Sequence, residues 1–580
     1  MVHQIKQIIE QALLACKKRG ALALAEMPAV NLETPKNPEH GDLSTNVSML
    51  LAKPEGKSPR KIAEEIISVI KTPGDELLSV SIAGPGFINF KINPKLSLSI
   101  LHKVYDGGEK YGTLKIGDGR KVQVEFVSAN PTGPLHVGHG RGAVYGDTLA
   151  RLLAAAGFQV TKEYYLNDAG VQMQTLGRSV LLRIKELEGE KIEFPENCYQ
   201  GEYIKDIAKE ILSLRAKAKQ SSEYKWMQEI ASAVGLAMTV NSENDVILFF
   251  GQYAGRKIHD EIVKDLSDCG VGHDVYFNES ELHKHGKVEN AVEFLRKRGF
   301  VEDREGAIWF LSTKFGDEKD RVLKKSDGFY TYFAADIAYH KDKFDRGFDR
   351  VIDIWGADHA GHVPRMKAAI EAMGHDPKKF DAVLIQLVNL IKGGQLVSMS
   401  TRSAQYETLR TLLDEVGRDV CRYFFLMRSH DAQLDFDIDL ATSQSMDNPV
   451  YYIQYAHARI SSVFEKAKET GMKLKLSKDT DLEPLTLPEE MEIAMFLGEY
   501  PAVIEEAARK LEPHRITYYL LDLARKFQSY YTKGKKESSY RFLSEDIKMT
   551  SAKCYLLKNI QIVLKNGLNV LGLSAPDRMD

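Results

Sequence analysis

The chain has 580 residues, enough for several domains at about 100–200 residues each, and its 43% hydrophobic and 27% charged content is ordinary for globular protein. Its 78 basic and 81 acidic residues give a net charge of -3, which argues against bulk electrostatic coating of nucleic acid but allows a local basic face. Five scattered cysteines without a Cys-x-x-Cys pair indicate buried thiols in a reducing compartment, and no stretch is long and apolar enough to span a bilayer. We therefore expect a cytoplasmic protein without a membrane partner or a zinc site.

The N-terminal part of the chain, up to about residue 110, predicts a separate α+β unit. An amphipathic helical pattern precedes a loop rich in Pro, Asn and Gly, and two strand patterns flank the turn Gly84-Pro85-Gly86. The predicted helices are 4–19, 47–52 and 59–70, and the predicted strands are 78–82 and 87–92.

The next segment predicts a strand, a turn and a helix in that order. The apolar run Val122–Val127 stops at a turn rich in Pro and Gly, and a helix of small residues is expected over 140–156. His136, Gly138 and His139 then lie at the opening of a helix, beside the carboxyl end of a strand. Open α/β sheets bind nucleotides at such a place, because free helix N–H groups attract phosphate, glycine permits close approach and imidazoles can donate hydrogen bonds.

Two other interpretations of this His-x-Gly-His string remain open. The two histidines could cap a helix and face solvent, or they could be metal ligands at helical spacing. The metal interpretation is the weaker one, because no third Cys, His or Glu lies nearby at usable spacing.

Further along the chain, residues of about 171–270 are mostly helical and charged in pattern, which predicts an insertion within the nucleotide-binding unit. Within it, helices are predicted over 207–219 and 224–237. Strand patterns return at 307–310 and at 351–355, and the second has the apolar run of a buried parallel strand. From about residue 406 the chain is predicted to be helical almost to its end.

These motifs resemble a known family. The run that begins at Glu125 and ends at His139, Glu-Phe-Val-Ser-Ala-Asn-Pro-Thr-Gly-Pro-Leu-His-Val-Gly-His, is similar to the ATP-binding signature of class I aminoacyl-tRNA synthetases in its arginyl-tRNA synthetase form. Further similar segments follow in the family's order over essentially the full chain: 162–170, 330–340, 356–359, 448–459, 511–515 and 571–579.

The resemblance implies an α/β fold, with a Rossmann-like parallel-sheet catalytic domain that carries an insertion, an N-terminal α+β domain and a C-terminal all-α helical domain. The expected boundaries are 1–110 for an additional domain that meets the outer corner of the tRNA, 118–400 for the catalytic domain with its insertion at about 171–270, 401–445 for a connecting stem, and 446–580 for a helical anticodon-binding domain.

The resemblance also implies the reaction and its participants. A monomer would ligate L-arginine to tRNA(Arg) at the expense of ATP, through an arginyl-adenylate, and would release AMP and pyrophosphate. Mg²⁺ would accompany ATP without a dedicated protein site. Chemistry of this kind needs positioning and charge neutralisation more than a side-chain nucleophile, and we find no convincing Ser-His-Asp or Cys-His arrangement.

Recognition of arginine requires a carboxylate, because a guanidinium pairs with one bidentately and never loses its charge. Asp336 is the expected partner, through its match to the family's Tyr-x-x-x-Asp motif, and Tyr332 lies one helical turn before it on the same face. The alternative is a helix-surface ion pair between Asp336 and His340.

A second group of expected arginine contacts lies at the end of the strand at 122–127. The resemblance implies that Ser128 and Asn130 hold the α-amino and carboxylate groups of the substrate, with Glu125 near the guanidinium. For Glu125, a structural pairing with a buried lysine or arginine is an equally good interpretation.

The resemblance assigns His136 and His139 to the ATP phosphates, as catalytic residues, with Gly138 beside them. Gly356, Asp358 and His359 follow the strand at 351–355 and are expected to contact adenosine and substrate; the alternative is an Asp–His pair that stabilises a turn.

The second class I signature, usually Lys-Met-Ser-Lys-Ser, departs from its pattern here. The aligned segment reads Ser398-Met399-Ser400-Thr401-Arg402, so that both lysines are missing. Met399 and Ser400 are expected ATP contacts. Arg402 is the expected cation for the departing pyrophosphate, with Lys392 or magnesium as the alternatives.

The helical C-terminal part carries aromatic and cationic side chains that suit splayed RNA bases and phosphates. The expected tRNA contacts are Tyr452, Tyr455, Arg459 and Tyr531, together with Asn46 in the N-terminal domain. Alternatively, some of the tyrosines form an ordinary core stripe.

Two rival functions follow from the same features. A class I synthetase for cysteine should bring zinc ligands, and one for glutamate should require a cation at the position of Asp336. The altered segment 398–402 also suggests an inactive relative that only binds tRNA.

Overall fold

The computed structural model describes residues 2–33, 35, 37–72, 76–217, 227, 242–397, 408–474 and 476–579. The chain divides into two compact units. One comprises residues 1–114, 445–510 and 515–580, and the other comprises 115–444 and 511–514. In the part of the chain that is described, no helix has the length and apolar character needed to cross a membrane.

The chain begins with an α+β segment. Its elements are helices α1 (Val2–Lys18), α2 (Val47–Glu55), α3 (Pro59–Ile67) and α4 (Pro94–Gly107) and strands β1 (Leu43–Thr45), β2 (Leu77–Ala83) and β3 (Phe87–Ile92). The three strands form an antiparallel sheet in the order β1-β3-β2. Helix α3 begins at Pro59, because the Ser58 side chain accepts a hydrogen bond from the Lys61 N–H and proline fits the first helical position.

A parallel five-stranded sheet forms the centre of the second unit. Its strands are β4 (Lys121–Glu125), β5 (Gln159–Leu166), β6 (Val275–Asn278), β10 (Arg350–Gly356) and β11 (Phe380–Ile385), in the order β11-β10-β4-β5-β6. Helix α5 (Val137–Ala155) connects β4 to β5. The chain runs from β4 to one side of the sheet and later returns to β10 on the other side. Such a reversal of strand order opens a crevice at the carboxyl ends of the strands.

The remaining elements of this unit lie between the strands of that sheet in the sequence, or follow the last of them. Between β5 and β6 come α6 (Val171–Leu187), α7 (Glu202–Lys217) and α8 (Glu243–Asp268). Between β6 and β11 come α9 (Glu279–Lys284), α10 (Lys287–Lys297), an antiparallel sheet of β7 (Val301–Arg304), β8 (Ala307–Phe310) and β9 (Arg321–Lys324), α11 (Tyr332–Asp345) and α12 (Val363–Ala372). The last elements are β12 (Val388–Lys392), β13 (Gln395–Leu396), α13 (Leu409–Val416), α14 (Arg418–Leu426), β14 (Leu434–Asp437) and α15 (Ile438–Thr442).

The C-terminal helices return to the first unit. They are α16 (Pro449–Glu469), α17 (Pro488–Leu497), α18 (Tyr500–Lys510), α19 (His514–Lys533) and α20 (Ile547–Leu571). The side chain of Asn448 caps α16, with Pro449 at its first position, and Asp546 caps α20. Most residues of α20 are buried, so it forms the centre of this bundle.

The predicted α/β class is confirmed, with a parallel sheet, inserted helices, an α+β start and a helical end. Three details differ from the prediction. The central strand ends at Glu125 because Val127 adopts a left-handed φ of 71°, and the following helix begins at Val137 instead of 140. Strand β14, which pairs with β12, interrupts the part predicted to be helical. The predicted helix 224–237 lies outside the described residues, apart from residue 227.

Helix α5 packs closely against the end of β4 because it carries glycine at the contact. A Cβ atom at Gly146 would meet the Phe126 ring at 2.2 Å. Replacing Gly146 with Ala should therefore destabilise the second unit by about 1–3 kcal/mol through overpacking. Urea unfolding followed by tryptophan fluorescence measures the change, because all three tryptophans of the chain lie between residues 115 and 444.

Gly142 in the same helix supplies a matched control, because a Cβ atom there would meet nothing within 4 Å. The Gly142→Ala variant should gain stability, by up to about 1 kcal/mol, from its higher helix propensity. Equal effects of the two substitutions on the urea midpoint would contradict the close contact at Phe126.

Candidate active site

A cleft of about 520 Å³ lies at the carboxyl ends of β4, β10 and β11, where the strand order reverses. It brings together most of the residues that the sequence singled out. The predicted residues that line it are Glu125, Ser128, Asn130, His136, Gly138, His139, Asp336, Gly356, Asp358 and His359.

The turn after β4 is strained and is held by side-chain hydrogen bonds. Val127 and Ser128 have φ angles of 71° and 42°, which are unfavourable for non-glycine residues and especially for a β-branched one. The Ser128 hydroxyl donates to Glu125 Oε1 at 2.8 Å and accepts the Tyr165 N–H at 3.1 Å. Asn130 Nδ2 donates to Gln172 Oε1 at 2.6 Å. These bonds fix the segment that leads into α5.

His136 is the N-cap of α5, and it also lines the cleft. Its Nδ1 accepts the backbone N–H of His139 at 3.3 Å, so its ring proton sits on Nε2 when the ring is neutral. The two imidazoles stack with centroids 3.6 Å apart. Burial lowers the pKa of both rings, and burial together with the neighbouring His136 brings the pKa of His139 to about 4. At pH 7 this helix end therefore offers neutral hydrogen-bond donors.

The acidic side of the cleft contains a buried ion pair. Lys343 is fully buried, and its Nζ donates to Glu125 Oε2 at 2.5 Å and to Asp353 Oδ1 at 2.7 Å. Burial raises the pKa of Glu125, with the Lys343 ammonium opposing it. The pairing with a buried lysine, one of the two interpretations of Glu125, is present.

Asp336 lies on α11 and lines the cleft with 34% of its side chain exposed. Its Oδ2 is 3.2 Å from Nε2 of His362. His340, the alternative partner, donates instead to the main-chain oxygen of Asp336 at 2.8 Å and contacts Asp353. Tyr332, at the start of the same helix, is exposed and is not among the residues that line the cleft.

Gly356, Asp358 and His359 lie where β10 ends and a short 3₁₀ turn begins. All three line the cleft. Asp358 is 82% exposed and lies 3.5 Å from His359 Nε2, which is also exposed. An exposed pair of this kind contributes little to stability, so these side chains are available to a ligand.

Several residues of the site were missed from the sequence. Tyr165, Asp353, Trp355 and Gln386 line the cleft, and Lys343 lies behind it. A signal for Asp353 was present, because a lone acidic residue interrupts an otherwise apolar parallel strand and requires a buried partner. No local pattern marks Lys343.

The segment of the second signature lies outside the described residues. Met399, Ser400 and Arg402 are therefore without a structural account. Lys392, an alternative source of positive charge, is paired with Glu415 at 2.9 Å. Within the described ranges, no group of three or more His, Cys, Asp or Glu side chains is arranged to hold a metal ion.

Three of the four expected tRNA contacts in the C-terminal helices form one cluster. The Arg459 guanidinium lies over the rings of Tyr455 and Tyr531, at 4.4 and 4.7 Å from their centroids. It donates to the Tyr455 hydroxyl at 2.6 Å, whereas Tyr452 is half-buried nearby on α16. In the N-terminal segment, Asn46 precedes α2 without capping it.

Three family models match the chain. They are "Arginyl tRNA synthetase N terminal domain" over residues 3–92, "tRNA synthetases class I (R), catalytic domain" over 101–426, and "DALR anticodon binding domain" over 453–579. Relatives match over the full length. The arginine–tRNA ligase of Syntrophotalea carbinolica is 48% identical over 579 residues, and that of Geobacillus kaustophilus is 45% identical over 583, each with 100% of both chains covered.

Solved structures share the fold. The arginyl-tRNA synthetase of Thermus thermophilus has a TM-score of 0.75 at 21% identity, with 100% of both chains covered. That of Plasmodium falciparum has a TM-score of 0.72 at 17% identity, covering 100% of this chain and 99% of its own. At these identities the likeness concerns the fold alone.

The lowered pKa of His139 gives a pH prediction. The folded ring takes up a proton only near pH 4, whereas the ring in an unfolded chain does so near its ordinary value of about 6.5. Between these values the unfolded state binds the extra proton, so this group's contribution to stability falls as the pH falls. Histidine NMR, with His139→Gln to assign the resonance, should give a midpoint near 4. A midpoint at the ordinary value would contradict the burial of this ring.

Proposed function

Because this chain belongs to the arginyl-tRNA synthetase family, we propose that its cleft binds L-arginine through Asp336 and ATP at the start of α5. The reaction of the chain is the ATP-dependent ligation of arginine to tRNA(Arg). The observation that carries the site proposal is the position of Asp336, a partly exposed carboxylate in the same cleft as the N-terminus of α5.

Two chemical steps have to take place in the cleft. The arginine carboxylate attacks the α-phosphorus of ATP, which gives arginyl-adenylate and pyrophosphate. A ribose hydroxyl at the 3′ end of the tRNA then attacks the activated carbonyl, and AMP leaves. Both steps depend on positioning and on the stabilisation of developing charge, so the relevant residues are those that orient the substrates.

Asp336 is the proposed partner of the guanidinium, with Tyr332 beside it on α11. Ser128 and Asn130 are the proposed contacts to the α-amino and carboxylate groups, with Glu125 forming the wall near the guanidinium. The arrangement suits a bidentate pair, because the Asp336 carboxylate is 34% exposed beside His362, whereas Glu125 already accepts bonds from Ser128 and Lys343.

The proposed ATP site begins at His136, Gly138 and His139. The free N–H groups of α5 and the Nε2–H of His136 can donate to phosphate oxygens, and Gly138 permits close approach. The proposed adenosine contacts are Gly356, Asp358 and His359, with Met399 and Ser400 from the segment outside the described residues. Mg²⁺ would come with ATP and neutralise part of its phosphate charge.

The proposed tRNA contacts are Asn46, Tyr452, Tyr455, Arg459 and Tyr531. Their chemistry supports this role, because aromatic rings and a guanidinium plane stack on unpaired bases. We also propose the domain boundaries given by the sequence, with 1–110 and 446–580 binding tRNA and 118–400 carrying the chemistry, and a cytoplasmic monomer as the active form.

Replacing Asp336 with Asn should lower kcat/KM for arginine about a hundredfold, because a neutral amide no longer balances the guanidinium in a partly closed cleft. Arginine-dependent ATP–pyrophosphate exchange, measured with and without tRNA(Arg), reports this step. Asp345→Asn is the matched control, since Asp345 lies on the same helix and pairs with Lys341 at 2.7 Å. An unchanged KM for arginine in Asp336→Asn would refute the assignment, and no exchange in the unaltered protein would favour an inactive tRNA-binding relative.

Replacing Arg402 with Ala should reduce the rate of adenylate formation far more than it weakens arginine binding, because the proposed guanidinium stabilises charge on the departing pyrophosphate. Single-turnover adenylate formation and arginine titration separate the two effects. Arg402→Lys should retain part of the rate, since it keeps the charge. Equal losses in rate and in binding would remove Arg402 from this role.

A further inference from the structure

The centre of the parallel sheet places two carboxylates side by side. Glu125 at the end of β4 and Asp353 in β10 are register partners on adjacent strands, and both line the cleft. Asp353 is fully buried and Glu125 is 7% exposed. Two carboxylates this close repel each other, and burial increases the energy of that repulsion.

Lys343 supplies the cation that makes this arrangement possible. It lies two helical turns after Asp336 on α11, and its ammonium bridges Glu125 Oε2 and Asp353 Oδ1. Burial alone would lower the pKa of Lys343, but the facing carboxylates outweigh it and raise that pKa. Burial alone would raise the pKa of Asp353, but Lys343 and His340 outweigh burial and lower that pKa to about 2.

His340 completes the hydrogen-bonded cluster. Its Nε2 is 2.8 Å from Asp353 Oδ2 and its Nδ1 is 2.8 Å from the main-chain oxygen of Asp336. Both oxygens are acceptors, so His340 links Asp353 to the main chain of Asp336. Glu125, Asp353, Lys343 and His340 thus form one hydrogen-bonded charge cluster.

The charge cluster reaches the proposed substrate contacts at two points. Glu125 Oε1 accepts the Ser128 hydroxyl, which holds the left-handed turn that leads to Asn130. His340 bonds to the main chain of Asp336 and fixes the helix turn that carries the carboxylate. The cluster is therefore hydrogen-bonded to the segments that carry both ends of the proposed arginine site.

We propose that Lys343 is a positioning residue for arginine recognition, which holds Glu125 and Ser128 in place and leaves Asp336 as the carboxylate that the guanidinium meets. This inference rests on the proposed binding of arginine in the cleft. Lys343 does not line the cleft, and it acts through Glu125. Without its ammonium, the buried Glu125 carboxyl would lose the partner that fixes its position, and the Ser128 hydroxyl would lose a fixed acceptor.

The test compares K343M, E125Q and the double variant E125Q/K343M in the full chain. ATP–pyrophosphate exchange with tRNA(Arg) present gives KM for arginine and for ATP, and urea unfolding monitors stability. Lys341→Met is the matched control, because Lys341 is also on α11 but pairs with the exposed Asp345. K343M should raise KM for arginine about tenfold or more, and KM for ATP less than about twofold, since a buried carboxylate loses its partner.

The double variant separates positioning from mere structural support. In the double variant Asp353 keeps its bond to His340 and no carboxyl group remains at position 125 to be displaced, so the arginine KM of E125Q/K343M should be equal to or below that of K343M. The proposal would be overturned if the fold increase in arginine KM of the double variant equalled the product of the fold increases of the two single variants. It would also be overturned if K343M raised KM for arginine and KM for ATP by the same factor.

The remaining outcomes are also decisive. If K343M does not fold, the double variant is compared with E125Q: a KM for arginine within about threefold supports the coupling, and a further tenfold rise contradicts it. A double variant that fails to fold also contradicts the proposal, because the pair would then serve the fold and not the substrate. The Asp336→Asn variant, measured in parallel, distinguishes the proposed arginine site from the proposed role of Lys343. An unchanged KM for arginine in that variant refutes the arginine site, whatever the result for K343M.

Discussion

The second unit depends on a buried ammonium between two carboxylates. Glu125 and Asp353 face each other across the two central strands, and Lys343 bridges them from α11. Hydrogen bonding of the backbones would bring these strands together in any case, but their acidic side chains would then repel each other in a medium that screens charge poorly. The cation turns this repulsion into a connection among β4, β10 and α11, and the proposed arginine contacts lie on α11 and at and just after the end of β4.

The strained turn at Val127 and Ser128 follows from the same constraint. The chain has to leave the sheet at Glu125 and enter α5 at His136, and it does so through two left-handed residues. The bonds from Ser128 to Glu125 and from Tyr165 to Ser128 offset that strain. As a result, a short segment carries the proposed amino-acid contacts at one end and the helix N-terminus proposed to bind phosphate at the other.

Local sequence patterns predicted much of this architecture. The strands 87–92 and 307–310 and the helix starting at 47 lie where the sequence placed them, because their alternation, turn residues and apolar runs are local. The resemblance to a family brought Asp336, His136 and His139 together before any geometry was known. The bridge from Lys343 to Glu125 could not be predicted in this way, because the two residues are 218 positions apart and only the fold makes them neighbours. Strand β14 was missed for a similar reason, since its parallel partner β12 lies more than 40 residues earlier.

The electrostatics of the cleft explain why the altered second signature matters. Among the described residues that line the cleft, none is a lysine or an arginine. The histidines at the start of α5 are neutral at pH 7, Lys343 is balanced by two carboxylates, and Lys392 is paired with Glu415. A helix N-terminus and neutral donors suit a bound triphosphate, but they give limited compensation when the bond to pyrophosphate breaks and negative charge accumulates. We propose that this charge is met from elsewhere, by the ion that accompanies ATP and by the segment at 398–402. In that segment Arg402 keeps a positive charge although both signature lysines are absent, and a guanidinium retains that charge at any physiological pH.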